Sequence, residues 1–441
     1  MKIPKILQYL FVAGFFILTN YLYFKNKAEK KYYKAKHHMI KTDPVFKKAK
    51  CLNGEDYQIR FKQGDPEKYL LLFQGGGWNG AKLQSSDGSV FAQSEEETVK
   101  EAFLRSQSML GMVFELGAEG LQSKDEKKNP EFGQFSIVLL NYCDGFGHQG
   151  YLEEPITDGE GKQIWVRGHE NVKSTIRYLQ EKLGINESSE VIIGGFAQGG
   201  ISALMWSDYI QQELKLTNKN PQNLKFSLVL DSSIYFEDLD TNKNLQNTFQ
   251  NILKIANKEV DLPCKKCIQE NQNENQYRCF YAENLLQYIE IPTFIVQSAY
   301  DTWYAKVVQD IDCIQSKFNI MRSSLSYCNK DQLQKLEQLR ERTVQFVQNM
   351  LKKNKQWGAY IASCADHCLT LSNLNYNNNN LQVPMKSGYT PEFALKNWRK
   401  MKNIQDINIH IDKLSWPHNI PCSEIEQELE IEVLNQEKLE L

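Results

Sequence analysis

An excess of charge of either sign is missing from this chain. Its 52 Lys and Arg are balanced by 54 Asp and Glu, for a formal net charge of −2. That excludes the broad basic surface a nucleic-acid partner requires, and gives no reason to expect an acidic polymer. N-glycosylation sequons are scarce: one, Asn186-Glu-Ser188, occurs among many Asn residues. Nothing therefore marks a heavily glycosylated secretory protein. A small-residue cleavage site is also missing after the N-terminal apolar run, where Tyr21-Leu-Tyr-Phe-Lys25 follows. An uncleaved anchor is expected there in preference to a removed signal peptide. No cofactor and no metal site is expected.

What is present is a chain of 441 residues, 41% hydrophobic and 24% charged. That suits one large globular domain or two smaller ones with a sizeable core. Residues Ile6 to Phe24 form an apolar run of 19, broken only by Gln8, Thr19 and Asn20. As a helix it would be about 28 Å long, close to the thickness of a bilayer's hydrocarbon core. The expected layout is an anchor at 1–24, a basic juxtamembrane segment at 25–48, a large domain at 49–422 and an acidic tail at 423–441. The tail alternates Glu with Ile, Leu and Val, compatible with a short amphipathic helix or with a solvated end. More lysines follow the apolar run than precede it, which by the positive-inside rule keeps the domain on the cytoplasmic or matrix side. Ten cysteines argue instead for an oxidising space.

Strands and helices alternate through the large domain. Cys51 to Phe73 reads as a hairpin-rich start. Tyr69–Phe73, Phe135–Leu140, Val191–Ile193, Phe226–Leu230, Pro292–Ser298 and Gly358–Ser363 read as buried strands, because their apolar runs are continuous or β-branched. Glu95–Leu116, Val172–Leu183 and Asp331–Lys353 read as amphipathic helices. Residues 234–290 are polar and Asn/Gln-rich and are expected to be irregular. Chemically suggestive clusters sit at the strand ends, which in an open parallel sheet face one crevice.

One stretch organises the rest. The strand Val191-Ile192-Ile193 runs into Gly194-Gly-Phe-Ala-Gln-Gly-Gly200, and helix-forming residues follow. Strand, Gly-rich turn and helix frame a nucleophile elbow, G-x-S-x-G. Here Gly195-Phe196-Ala197-Gln198-Gly199 fills the frame, and the nucleophile position is Ala197. A methyl group cannot attack a carbonyl. Asp301 and His367 follow later strands, in the chain order of an α/β-hydrolase triad. The loop Gly75-Gly76-Gly77-Trp78 after the first buried strand is placed to supply backbone donors to an oxyanion.

These residues resemble the pectin acetylesterase family, which includes the Notum carboxylesterases. Gln74-Gly-Gly-Gly-Trp78 is similar to E-G-G-G-W, and Asn129-Pro-Glu-Phe132 through Tyr142-Cys-Asp-Gly145 to N-P-D-F…Y-C-D-G. Trp165-Val-Arg-Gly168 is similar to F-R-G. Gly194–Gly200 falls where the family has G-C-S-A-G-G. Gln297-Ser-Ala-Tyr-Asp301-Thr-Trp303 is similar to N-S-A-Y-D-x-W, and Ser363-Cys-Ala-Asp-His367-Cys368 to S-C-x-x-H-C. Asp412 to Cys422 is similar to the closing segment. The resemblance implies an α/β-hydrolase fold, a mostly parallel sheet with helices on both faces. It implies Asp301 and His367 as the acid and base, an oxyanion hole at Gly76, Gly77, Trp78 and Gln198, and disulfides Cys51–Cys143 and Cys313–Cys328. It also makes Cys364 and Cys368 structural. The chain departs from the pattern at Ala197 and at Asn79, where the family commonly has Cys, and its closing segment lacks some cysteines.

With no oxygen at position 197, the leading expectation is a pseudoenzyme. It would act as a membrane-anchored structural or accessory subunit, with other subunits of a membrane complex and the lipid bilayer as partners. Ser232 and Ser233 follow another strand and should lie off the elbow. Phe196 and Gln198 are expected to add bulk where an acyl group would sit. Two alternatives are an active carboxylic-ester hydrolase with an unrecognised nucleophile, and a module that binds an acyl or sugar ligand in the old pocket. Candidate compartments are extracellular, lumenal or an intermembrane space, with the mitochondrial inner membrane among the membranes considered.

Overall fold

The computed structural model describes residues 38–41, 48–82, 90–92, 94–112, 119–314, 325–371, 373–377, 381–384, 387–401 and 408–418. The expected anchor, most of the basic segment, Cys422 and the acidic tail lie outside them. No helix among the described residues is long and apolar enough to cross a membrane.

Nine strands form one sheet. They are β1 (His38–Lys41), β2 (Gln58–Lys62), β3 (Asp65–Phe73), β4 (Phe135–Leu140), β5 (Glu190–Phe196), β6 (Lys225–Asp231), β7 (Thr293–Ser298), β8 (Gly358–Ala362) and β9 (Ile409–Ile411). Their spatial order is β1-β2-β4-β3-β5-β6-β7-β8-β9. From β4 through β3 to β9 every neighbouring pair is parallel, while β1–β2 and β2–β4 are antiparallel. The central strands are buried on both faces, which is why they read as unbroken apolar runs. Alternation then divides each strand between two cores. Tyr69, Leu71 and Phe73 enter one cluster, and Leu70 and Leu72 the other.

Helices α1 (Glu95–Met112), α2 (Gly168–Lys182), α3 (Gln198–Thr217), α4 (Asn244–Ala256), α5 (Lys265–Glu270), α6 (Lys330–Lys353) and α7 (Pro391–Lys400) connect the strands. The first core is built with α2, α3, α4 and α6, and the second with α7 and the segments around Phe132 and Leu381. Helix α6 starts in a capping box: the Asn329 side chain accepts from the Asp331 and Gln332 amides, and Gln332 accepts from the Asn329 amide.

Two expectations are corrected. The start of the domain is not a hairpin of β2 and β3, because β4 lies between them. Residues 234–290 are not irregular. Leu245, Phe249, Ile252 and Ile255 make one buried face of α4 beneath an Asn/Gln-rich exterior, and α5 and a 3-10 segment at Asn273–Phe280 follow.

The strand order reverses between β3 and β5. After β3 the chain goes to β4 on one side and then to β5 on the other. Such a switch point opens a crevice at the strands' C-terminal ends. Register lines those ends up: Phe73 pairs with Gly195, Phe196 with Asp231, Asp231 with Val296, and Ser298 with Ala362.

Candidate active site

The elbow forms as its glycines dictate. A Cβ on Gly195 would lie 2.3 Å from the Gly199 carbonyl oxygen, and one on Gly199 would lie 2.2 Å from that of Phe73. Only glycine lets helix α3 start this close to the ends of β5 and β3. Between them stands Ala197, with φ 53° and ψ −130°. This left-handed geometry is unfavourable for a residue with a Cβ and costs on the order of 1–3 kcal/mol. Such a strained turn presents the nucleophile in a hydrolase, and here it carries a methyl group.

Beyond the ends of β7 and β8, Asp301 and His367, the expected acid and base, come together. His367 Nδ1 lies 2.9 and 3.1 Å from the two carboxylate oxygens of Asp301. Asp301 also accepts from the Tyr304 amide at 2.9 Å and from Gln297 Nε2 at 3.2 Å. Burial works against charge on the His367 ring. The Asp301 carboxylate beside it, with a further contribution from Cys368, holds its pKa well above the usual histidine value. Trp303 lies over the ring at 6.2 Å between centroids. With Nδ1 committed to Asp301, Nε2 is the nitrogen left for proton transfer.

Residues that sequence reasoning missed tie these halves together. The Ala197 amide donates to the Asp231 carbonyl at 2.8 Å. The Asp231 carboxylate accepts from the Leu369 and Thr370 amides and from the Thr370 and Ser232 hydroxyls. Ser232 Oγ in turn accepts from the Cys368 amide at 2.7 Å. Burial pushes the Asp231 carboxyl up, against those hydrogen bonds. One strand end thus fixes both the elbow and the loop that carries His367. Position at a strand's C-terminal end was the available signal. Ser233 lies nearer the elbow than expected: a Cβ on Gly200 would fall 1.9 Å from its Oγ. That hydroxyl donates to the Asp231 carbonyl at 2.9 Å.

The glycine loop meets the elbow directly. A Cβ on Gly75 would lie 2.3 Å from the Phe196 carbonyl oxygen and 3.1 Å from the Ala197 methyl. Arg105 binds the Gly76 carbonyl, and the Tyr142 hydroxyl donates to that of Gly77 at 2.6 Å. His148 supports the same loop. Its Nε2 lies 3.0 Å from the Gln74 carbonyl, and burial lowers its pKa to about 4, so the ring is neutral. Trp78 is an inner wall, edge-on to Phe249 and Tyr235 and tilted against Trp303.

Two expectations change. Phe196 does not fill an acyl site; it belongs to the second core with Ile192 and Val229. The Gln198 side chain turns to Ser202 Oγ at 2.6 Å. Cys368 is a buried thiol in no disulfide, and the His367 ring beside it acts to lower its pKa. Burial pushes that thiol up to about 11. The expected pairs Cys51–Cys143 and Cys313–Cys328 are present, Cys267–Cys279 is a third bridge, and Cys364 is also disulfide-bonded. Asn79, fully buried, has no hydrogen-bond partner among the described residues for either side-chain polar atom.

The pectinacetylesterase family model matches residues 28–423. The chain is similar to pectin acetylesterase 5 of Arabidopsis thaliana, 24% identical over 342 residues, covering 74% of this chain and 72% of that protein. It is also similar to the palmitoleoyl-protein carboxylesterase NOTUM of Schmidtea mediterranea, 23% identical over 356 residues, covering 78% of this chain and 60% of the other.

Proposed function

The chain belongs to the pectinacetylesterase family, and from that premise we propose that it is a member that no longer cleaves esters. It serves through its fold and surface, as a membrane-anchored accessory subunit of a larger assembly. The observation that carries this reading is the methyl group of Ala197 at the strained elbow. In a serine hydrolase the histidine takes its proton from the nucleophile. Asp301 and His367 still form their pair, but residue 197 has no proton to give. Loss of the nucleophile alone costs about 10⁶ in turnover in a comparable triad enzyme, and binding with an oxyanion hole leaves about 10³–10⁴ over water. The anchoring role rests on the apolar run at 6–24, and the disulfides fit an oxidising compartment.

A fluorophosphonate probe, which reacts with activated serines, tests the loss of chemistry. The wild-type protein should remain unlabelled and Ala197→Ser should label at position 197. Labelling of the wild type at any residue beside His367 would sink the reading. Native electrophoresis from gentle detergent tests the subunit role, and recovery as a lone monomer would count against it.

A second reading, an active acyl-transfer enzyme, is favoured by the free Cys368 thiol, next in the chain to His367 and close enough to raise the pKa of its ring. Its burial at 4% exposure and its raised pKa work against attack on a substrate. Incubation with p-nitrophenyl acetate followed by mass spectrometry decides the matter. A Cys368 thioester that disappears in Cys368→Ser would favour the enzyme.

A further inference from the structure

Away from the elbow, in the excursion between β6 and β7, three cysteine sulfurs lie together. Cys267 and Cys279 form a disulfide with Cα atoms 6.0 Å apart. Cys264 is a free thiol, and all three sulfurs lie within 4.8 Å of one another in a buried cluster. Cys264 caps the N-terminus of α5 and Cys267 sits in its first turn. The resulting Cys-x-x-Cys at a helix start is a spacing that two sulfurs can bridge. Cys279 comes from the next segment, Asn273–Phe280.

We propose that Cys264, Cys267 and Cys279 form a thiol–disulfide exchange site in which Cys264 competes for the bridge. In one step the Cys264 thiolate attacks Cys267 Sγ. The Cys264–Cys267 bond forms, the Cys267–Cys279 bond breaks, and Cys279 leaves as a thiolate that takes up the proton Cys264 lost. Attack on Cys279 Sγ gives the Cys264–Cys279 bridge and frees Cys267 by the same accounting. One disulfide and one thiol are present before and after, so no oxidant or reductant is required. The two products constrain the chain differently. A Cys264–Cys267 bridge lies within α5 and releases the tie to the Asn273–Phe280 segment. Phe280 of that segment stacks on Phe249, which packs edge-on to Trp78 of the glycine loop.

The thiolate is the attacking form. Burial raises the Cys264 thiol to about 12, and the Asp208 carboxylate of α3 adds to the effect. Lys266 and Glu290 are the charged groups around Asp208. Exchange is therefore slow near neutrality and accelerates about tenfold per pH unit as the thiolate fraction grows.

Lys265, Lys266 and Arg278 separate the three cysteines, so trypsin places each on its own peptide. Purified full-length protein is held at pH 7 and pH 9 without added thiol. It is then quenched in denaturant with N-ethylmaleimide and digested unreduced. Cys264 linked to Cys267 or Cys279, with the displaced cysteine alkylated and a rate that rises with pH, is the expected result. Cys264 alkylated in every molecule at both pH values would overturn the proposal. A Cys279→Ser variant that folds by circular dichroism, treated with glutathione disulfide as the two-electron oxidant, should form a Cys264–Cys267 bridge and release two molecules of reduced glutathione per bridge; two alkylated thiols there after that treatment would also overturn the proposal.

Discussion

The elbow and the Asp301–His367 pair differ in what their side chains do for the fold. At the elbow a strained backbone carries only a methyl group. At the pair, both side chains are in place. The difference follows from what each side chain does besides chemistry. A nucleophilic hydroxyl at position 197 would hold nothing else together, because the turn is fixed by Gly195, Gly199 and the Asp231 carbonyl. Asp301 accepts from Tyr304 and Gln297 as well as from His367. Groups that also hold the fold should cost more to remove than a side chain that holds nothing else, and variants on the two sides should show it.

The largest effect is expected where the two sides join. Asp231→Ala leaves two buried amides and two hydroxyls without their acceptor. It should cost more than about 3 kcal/mol in urea unfolding. A loss under about 1 kcal/mol would mean that the His367 loop is held by other contacts.

Next comes Asp301→Asn, which removes the charge facing His367 and should cost about 2 kcal/mol near pH 6. The sign with pH is fixed by the direction of the shift. His367 has a pKa raised on folding, so the native state binds the proton more tightly than the unfolded chain. That stabilisation is full below the unfolded value of about 6.5 and is lost as pH rises through the folded value. The gap between wild type and Asp301→Asn should therefore narrow with rising pH. A gap that widens instead would show that the ring is neutral in the native protein.

The same contrast explains what could be read from the sequence. Strands β3 to β8 were legible because strands buried on both faces are apolar throughout. The short edge strands β1 and β9, and β2 next to β1, were not, and adjacency in the chain suggested a hairpin-rich start where β4 intervenes between β2 and β3. Helix α4 was hidden because its exposed Asn and Gln dominate composition, although Leu245, Phe249, Ile252 and Ile255 recur at helical spacing. Ala197, Asp301 and His367 were legible from their positions after strands and from motif likeness. The roles of Asp231, Ser232 and His148 were not, because these residues bond to backbone groups far along the chain, and Gln297 stood in a motif that does not show its bond to Asp301. The freedom of Cys368 was also hidden, since pairing is a matter of three-dimensional proximity.

The smallest effect tests the elbow itself. Ala197→Gly removes the Cβ from a residue at φ 53°, which should recover part of about 1–3 kcal/mol of strain. Against that, glycine gives the unfolded chain more freedom, worth about 0.5–1 kcal/mol. It also removes the methyl that packs on the second core. The balance should be a stabilisation of about 1 kcal/mol, read as a higher urea midpoint with an unchanged slope. Ala197→Ser keeps the Cβ and the strain, and should unfold within about 0.5 kcal/mol of wild type. If Ala197→Gly is instead destabilised by a full kilocalorie or more, the turn is not strained around its methyl. The geometry would then be one the alanine itself stabilises.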